Sequence, residues 1–292
     1  MVFWKDRRYR HYIKQLPGAV WLYRTLRDSW IFIGRKRLAR AYVVSYPKSG
    51  RTWLRVMLAR YFSLYFGCPL DIDFERIIGR KGAPLLVFTH AQAATTIAQI
   101  HEAFRWRKVW WKDGKKLVLM FRDPRDVVVS LYYQEKFREH NYDGDLSSFV
   151  RHHAWGIDLL VDYMNLWLQA LEENPANTCV IFYEDLHRNP CGVLARLVEF
   201  LEIKARPELI RESVEFARFE NMRKMEARGE IGSFRLRPSD PSNPNAYKTR
   251  KGKIGGYREE LSPQDIMYID SRINSRLRSF FGQYKYCTLP RP

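Results

Sequence analysis

The chain has 292 residues, of which 46% are hydrophobic and 15% aromatic, and this composition excludes a disordered protein. A formal net charge of +18 predicts an anionic partner: a phosphorylated ligand, a nucleic acid, an acidic glycan or a membrane surface. No stretch reaches the roughly 20 uninterrupted apolar residues that a membrane span needs.

Residues 1–40 form a basic, aromatic segment, which we expect to be accessory to a main domain at 41–292. The segment holds 11 Lys and Arg residues against Asp6 and Asp28. It is expected either to pack on the domain as a helical layer or to lie on a membrane surface. The cysteines show no metal-like spacing, which favours reduced thiols and a cytoplasmic location, with peripheral membrane association through 1–40 as the alternative.

Short apolar strands alternate with amphipathic helices along the rest of the chain. Strands are predicted at 41–45, 83–90, 115–122 and 177–186, and helices from 52 onward and at 124–138, 146–172, 190–202 and 262–281. A stretch rich in Gly, Pro and Ser at 227–257 predicts a long loop. This alternation is typical of a parallel sheet with helices on both faces, so we expect a three-layer α/β domain.

The stretch "YPKSGRTW" (46–53) joins the first strand to the first helix. Such a loop collects free backbone N–H groups and the positive end of a helix dipole, which favours an anion. The Lys precedes the Gly, unlike the GxxxxGK[ST] loop of nucleoside triphosphatases. Lys48 and Arg51 are therefore either phosphate ligands in a P-loop-like strand-loop-helix site or solvated loop charges.

Two further basic motifs follow. In "FRDPRDVVVSLYY" (121–133), Arg122 ends a strand and Ser130 lies two turns into the next helix, so both could converge on a second phosphate. In "RKGKIGGY" (250–257), Gly252 allows the backbone to approach an anion closely.

Together these motifs resemble those of the sulfotransferases that use 3′-phosphoadenosine 5′-phosphosulfate. "YPKSGRTWL" is similar to the 5′-phosphosulfate loop of that family, usually PKSGTTW, and "FRDPRDVVVSLYY" is similar to its 3′-phosphate motif. "RKGKIGGY" matches its late loop, "FYEDL" (182–186) its strand-plus-acidic-turn signature, and "RFENMRKME" (218–226) the segment beside adenine. The matches run in order from about 41 to 260 and cover most of the chain.

The resemblance implies a P-loop-like fold, a sulfuryl transfer and a set of donor-binding residues. Lys48 would contact the oxygen that bridges phosphate and sulfuryl group, and Tyr183 and Phe219 would border the adenine on which Trp53 stacks. The 5′-phosphate would be held by Ser49, Gly50, Arg51 and Thr52, and the 3′-phosphate by Arg122, Ser130, Arg250, Lys251 and Gly252. Arg suits the second group because its paired donors match phosphate oxygens.

The resemblance also implies a catalytic set of Lys48, His90 and Ser130. The family base is a His at a strand end in a "KTH"-like context, and "VFTH" places His90 there. An imidazole suits proton removal from an acceptor hydroxyl at neutral pH. Lys, Arg and backbone supply the positive field, so no metal is expected.

Two departures from the family pattern stand out. Arg51 replaces a Thr, which adds charge at the phosphate loop. Gly255, Gly256 and Tyr257 stand where Gly-Asp-Trp is usual, so no role is assigned to the second half of the late loop.

The acceptor is not specified by the sequence: a small hydroxyl or amine compound, a lipid and a glycan all remain candidates, as does any oligomeric state. A magnesium-dependent nucleotide kinase on a related fold and a basic protein that binds an anionic polymer are the alternative functions. No specific nucleic-acid motif is present. Trp106, Trp110 and Trp111 are candidates for the core or for the acceptor site. His152 and His153, with Asp158 and Asp162 at helical spacing, are expected on a helix near the acceptor pocket or on the surface, with a metal-binding helix face as the alternative.

Overall fold

The structure is a computed structural model that describes residues 38–77, 80–91, 98–102, 104–105, 114–231 and 234–285. The predicted accessory segment, apart from its last three residues, lies outside this range, as do Trp106, Trp110 and Trp111. The assignments of the segment and of these tryptophans stay predictions.

The described strands form one sheet in the order β2-β1-β3-β4. The strands are β1 (Ala39–Ser45), β2 (Leu85–Thr89), β3 (Lys116–Phe121) and β4 (Thr178–Phe182). β1 is parallel to β3, with Val43 opposite Val118, and β3 is parallel to β4, with Val118 opposite Cys179. Val43 and Val44, which point to opposite faces, are both buried, so both faces of the sheet are covered.

Helices flank this sheet, and the predicted α/β class is confirmed. They are α1 (Arg51–Phe66), α2 (Pro124–Phe137), α3 (Leu146–Val150), α4 (Ile157–Glu173), α5 (Tyr183–Arg188), α6 (Pro190–Phe200), α7 (Pro207–Phe216), α8 (Phe219–Arg228) and α9 (Pro263–Arg276). Residues 98–102 and 104–105 are also helical. α1 packs against α7, and α4 packs against α2 and α9. None of the described helices combines the length and apolar character that crossing a membrane requires.

The fourth strand was predicted to extend over 177–186, and this was wrong at its C-terminal end. β4 stops at Phe182, and α5 begins at Tyr183 with Glu184 and Asp185 in its first turn. His187 and Arg188 occupy its last turn, so both ends match the helix dipole. The charge pattern of "YEDLHR" therefore signals a short helix rather than a strand.

Two helix predictions were too long. The helix expected at 146–172 is interrupted between α3 and α4, where the His152 ring accepts the Ala154 N–H at 3.1 Å and Gly156 restarts the chain in an extended conformation. The helix expected to reach 281 ends at Arg276 and is followed by a 3₁₀ turn at Ser279–Tyr284. The predicted long loop begins at Gly229, and its described residues form only short 3₁₀ turns.

Candidate active site

The loop between β1 and α1 leaves a helix N-terminus open to an anion. Lys48 and Gly50 both have positive φ, 71° and 89°, and Gly50 is the N-cap residue of α1. No side chain in the described ranges caps this helix, so its first N–H groups are available to a ligand. A Cβ on Gly50 would lie 2.4 Å from Cδ2 of Tyr183, so this position requires glycine for space as well as for conformation.

Arg122, at the end of β3, connects the phosphate loop to the late basic loop. Its guanidinium donates to the carbonyl oxygens of Lys48 at 3.1 Å and of Lys253 at 3.0 Å. It lies 4.2 Å over the Tyr183 ring and 3.4 Å from a carboxylate oxygen of Asp126. Its Nε is buried and has no hydrogen-bond partner within the part of the chain that the structure describes, which leaves one donor available to an anion.

The late loop is anchored on α2 and on its own acidic residues. Asp126 accepts the N–H groups of Gly255 at 2.8 Å and Tyr257 at 3.0 Å. The second half of this loop, to which the sequence assigned no role, therefore holds the loop in place. In the first half, Glu260 lies 2.8 Å from both Arg250 and Lys251, which fixes the direction of these two cations.

Aromatic rings line the side of the cavity between the two loops. Trp53 lies 5.9 Å from Tyr183 and 4.8 Å from His187, measured between ring centroids. The Phe219 ring packs directly on the backbone of the late loop, because a Cβ built on Gly252 of that loop would lie 2.5 Å from the ring. Aromatic rings that present their edges and faces to a cavity in this way favour a flat heteroaromatic ligand.

Lys48 lies among other cations. Its ammonium donates to the Gln134 side-chain oxygen at 3.3 Å. Burial, together with Arg138, Arg122 and Arg250, lowers the pKa of Lys48 to about 8, and the Glu226 carboxylate opposes this shift. The ammonium form is therefore destabilised until an anion enters.

His90 is held in one tautomer as a neutral base. Its Nδ1 donates to the Ser45 carbonyl oxygen at 3.0 Å, so Nε2 carries the lone pair. The guanidinium of Arg51 donates to that Nε2 at 2.5 Å. Burial first, and then the charge of Arg51, hold the pKa of His90 well below its usual range.

One cavity brings together the predicted site residues, with a single exception. Ser49 is buried and does not line the cavity. The predicted residues that do line it are Lys48, Gly50, Arg51, Thr52, Trp53, His90, Arg122, Ser130, Tyr183, Phe219, Arg250, Lys251 and Gly252. The roles assigned to these residues stay predictions, because lining a cavity does not by itself fix a function.

Sequence reasoning missed several residues that line the same cavity, chiefly Gln134, Asp126, His187 and Lys248. Gln134 lies one helical turn beyond Ser130, and this spacing is a signal that could have found it. Lys248 lies two residues before Arg250, just outside the basic motif at 250–257. Asp126 pairs with the nearby Arg122, but its bonds to the late loop could not be found this way, because Gly255 and Tyr257 are more than 120 residues away along the chain.

His152 and His153 lie between α3 and α4, and among the described residues they form no metal-binding group with Asp158 and Asp162 of α4. Asp158 and Asp162 pair instead with Arg272 and Arg276 of α9. Within the described ranges, no three His, Cys, Asp or Glu residues are grouped closely enough to bind a metal ion. These acidic side chains therefore join α4 to α9.

Residues 39–281 match the family model of the sulfotransferase domain. This chain belongs to the sulfotransferase family. It is 23% identical to cytosolic sulfotransferase 17 of Arabidopsis thaliana, over 81% of this chain and 74% of that protein. It is also 23% identical to sulfotransferase 1E1 of Bos taurus, over 75% of this chain and 77% of the relative.

Solved sulfotransferase folds superimpose on this one. A mouse sulfotransferase complexed with PAP (adenosine 3′,5′-bisphosphate) matches with a TM-score of 0.58 at 19% identity, over 84% of this chain and 86% of the other. A retinol dehydratase in complex with androsterone and the inactive cofactor PAP matches with a TM-score of 0.55 at 19% identity, over 86% and 82%. The fold and the family agree, and the protein is a sulfotransferase enzyme rather than a kinase or a polymer-binding protein.

Proposed function

We propose that the cavity binds 3′-phosphoadenosine 5′-phosphosulfate and that the enzyme moves its sulfuryl group to an acceptor hydroxyl or amine. The observation that carries this proposal is a set of hydrogen-bond donors without acceptors. Among the residues that the structure describes, no side chain caps the N-terminus of α1, and the buried Nη1 of Arg51 and Nε of Arg122 have no hydrogen-bond partner. A ligand with two separate anionic groups would satisfy all of them.

The arrangement fits a nucleotide with phosphates at both ends of a nucleoside. In this proposal the start of α1 and Lys48 hold the 5′ end, and Arg122, Ser130 and Arg250 hold the 3′-phosphate. Trp53, Tyr183 and Phe219 border the base. ATP lacks the 3′-phosphate, so the second group of residues selects against it.

When bound, the donor supplies an activated sulfuryl group. Lys48 places its ammonium where the departing phosphate gains negative charge, and the anion in turn stabilises the charged form of Lys48. His90 presents the lone pair of Nε2 and takes the proton of the acceptor, while the Ser45 carbonyl keeps its ring oriented. The transfer is in line, and positioning and charge supply the catalysis.

The cavity holds more positive charge than the donor requires. Among the described residues, no ion pair joins a carboxylate to the side chain of Lys48, Arg51 or Lys248, although the Glu226 carboxylate accepts the backbone N–H of Lys248 at 2.7 Å. Burial and the nearby charges of Arg138, Lys48 and Arg51 hold the pKa of Lys248 well below its usual range. The phosphosulfate would neutralise two of these three cations, so we favour an acceptor that carries a negatively charged group close to its hydroxyl.

Radiolabelled donor tests the proposed activity. We expect transfer of labelled sulfate to members of a panel of phenols, alcohols and amines without added metal. Lys48→Met should abolish transfer and His90→Ala should reduce it by about 100-fold, within the usual range for a general base. Transfer that persists undiminished in both variants would refute the assigned roles.

The proposal extends to the cellular location. The curated relatives include proteins named cytosolic sulfotransferases, and Cys68, Cys179 and Cys191 are free thiols. We propose a cytoplasmic enzyme, with contact of residues 1–40 with a membrane surface as the variant to be tested. Loss of liposome cosedimentation on deletion of residues 1–40 would support that contact, and unchanged sedimentation would refute it.

A further inference from the structure

Arg51 covers the atom that the base must use. His90 has a single lone pair available, on Nε2, because its Nδ1 donates to Ser45. Arg51 Nη2 lies 2.5 Å from that Nε2, which is a short charge-assisted hydrogen bond. An acceptor hydroxyl cannot donate its proton to Nε2 while the guanidinium occupies this position.

The same guanidinium is poorly satisfied in this position. Its Nη1 is buried and has no hydrogen-bond partner among the described residues. The charged groups that act on it most strongly, Arg55 and Arg235, are also cations, and with burial they hold the pKa of Arg51 well below its usual range. A buried guanidinium that donates to a neutral imidazole is stabilised less than one that donates to an oxyanion.

Arg51 lies next to a backbone site that favours an oxyanion. Arg51 is the first residue of α1, and its backbone belongs to the uncapped N-terminus that attracts anions. The side chains of Arg51 and His90 line the same cavity. The guanidinium can therefore exchange its imidazole partner for an anion without any change in the helix.

We propose that Arg51 is a positioning residue that blocks His90 in the free enzyme and releases it when the 5′ anionic group of the donor binds. This inference depends on the donor proposed above. It requires the donor to bind before the acceptor can react, because the base becomes available only after the donor is in place. The family pattern has Thr at this position, and a Thr side chain is too short to reach a ring that lies beyond the end of another strand.

Nitrogen NMR of histidine-labelled protein tests the release directly, since the Nε2 resonance reports its hydrogen bond. In the free enzyme, we expect the hydrogen bond from the Arg51 guanidinium to change the ¹⁵N chemical shift of His90 Nε2 from that of a free neutral imidazole nitrogen. Addition of adenosine 3′,5′-bisphosphate should move it to the position seen in Arg51→Thr without nucleotide. An unchanged resonance on saturation with nucleotide, as monitored by calorimetry, would overturn the inference, whereas absence of nucleotide binding would overturn the proposed donor instead.

A chemical probe provides a second readout on the free proteins. Diethyl pyrocarbonate modifies neutral imidazole nitrogen, and peptide mass spectrometry separates His90 from the exposed His153, which serves as the reference. We expect His90 to react about tenfold faster in Arg51→Thr than in the unmodified chain, as loss of a charge-assisted hydrogen bond implies. Arg60→Thr, on the same helix beside Glu212, should leave the rate unchanged. Equal rates in the Arg51→Thr and unmodified proteins would contradict the block.

Discussion

Replacement of Gly50 by Ala perturbs the phosphate loop by two physical effects that can be separated. The φ of +89° costs an L-residue roughly 1–2 kcal/mol. The added Cβ would lie 2.4 Å from the Tyr183 ring, and overpacking of this kind costs roughly 1–3 kcal/mol more. We therefore expect a loss of about 2–5 kcal/mol in the free energy of unfolding. The displaced ring and loop should also weaken binding of adenosine 3′,5′-bisphosphate.

Gly82 provides the matched control. Its φ of +84° is nearly the same, but no atom of the other described residues, its two chain neighbours aside, lies within 4 Å of a Cβ built there. Gly82→Ala should therefore lose only the conformational part, about 1–2 kcal/mol, and leave nucleotide affinity unchanged. Urea denaturation gives the two free energies, and calorimetry gives the two affinities.

A double variant isolates the clash. Gly50→Ala combined with Tyr183→Ala should cost less than the sum of the two single changes, because removal of the ring makes room for the new methyl group. Equal losses in Gly50→Ala and Gly82→Ala, with strict additivity in the double variant, would refute the close packing of Tyr183 on the phosphate loop.

Three further predictions concern charge. Lys48 has a pKa of about 8 in the folded protein, so affinity for adenosine 3′,5′-bisphosphate should fall as the pH rises through that value, and Lys48→Arg should remove the fall. Asp126→Ala removes the acceptor of the Gly255 and Tyr257 N–H groups, so it should weaken nucleotide binding by about tenfold and speed proteolysis of the late loop. Lys248→Gln should raise KM by about tenfold for 4-hydroxyphenylacetate and leave KM for the neutral 4-hydroxyphenylacetamide unchanged.

Each of these has a clear contrary result. A flat pH profile for the unmodified protein would show that Lys48 does not titrate in this range or does not contact the nucleotide. Unchanged proteolysis in Asp126→Ala would show that other contacts hold the loop. An equal effect of Lys248→Gln on both phenols would place that lysine on the sulfuryl group rather than on the acceptor. Lys224→Gln, an exposed change on α8, controls for net charge.

The sign of the Lys48 effect on stability follows from the same pKa. The folded-state value is about 8, below the ordinary 10.5, so between these values the unfolded chain binds more protons than the folded one. Stability attributable to Lys48 should therefore rise with pH across that window, while nucleotide affinity falls. Stability and ligand affinity are expected to change in opposite directions with pH where a buried charge binds a ligand and does not stabilise the fold.

Local patterns predicted most of the fold because strands and helices here follow the hydrophobic period closely. β1, β3 and α2 lie within two or three residues of their predicted bounds. The errors occurred where a polar pattern overrides the apolar run, as in α5, where acidic and basic residues at opposite ends stabilise a short helix. The spacing of apolar residues alone does not reveal this stabilisation by charge.

The candidate site was predictable to the extent that each motif contributes its own residues. The motifs could not show how they meet, because the contacts join distant parts of the chain. Arg51 and His90 are 39 residues apart, and they touch because β1 and β2 are neighbours in the sheet. The bonds from Asp126 to Gly255 and Tyr257 likewise depend on the fold, so neither the block on the base nor the anchoring of the late loop could be derived from spacing.

Calorimetric titration with adenosine 3′,5′-bisphosphate in the absence of magnesium, beside ATP and AMP, is the decisive test of the proposed donor site. We expect tight binding of the bisphosphate, loss of that binding in Arg122→Ala, weakening in Lys48→Ala, and weak binding of ATP and AMP. Preference for ATP, or binding that requires magnesium, would contradict the proposed donor and would favour phosphoryl transfer as the reaction at this site.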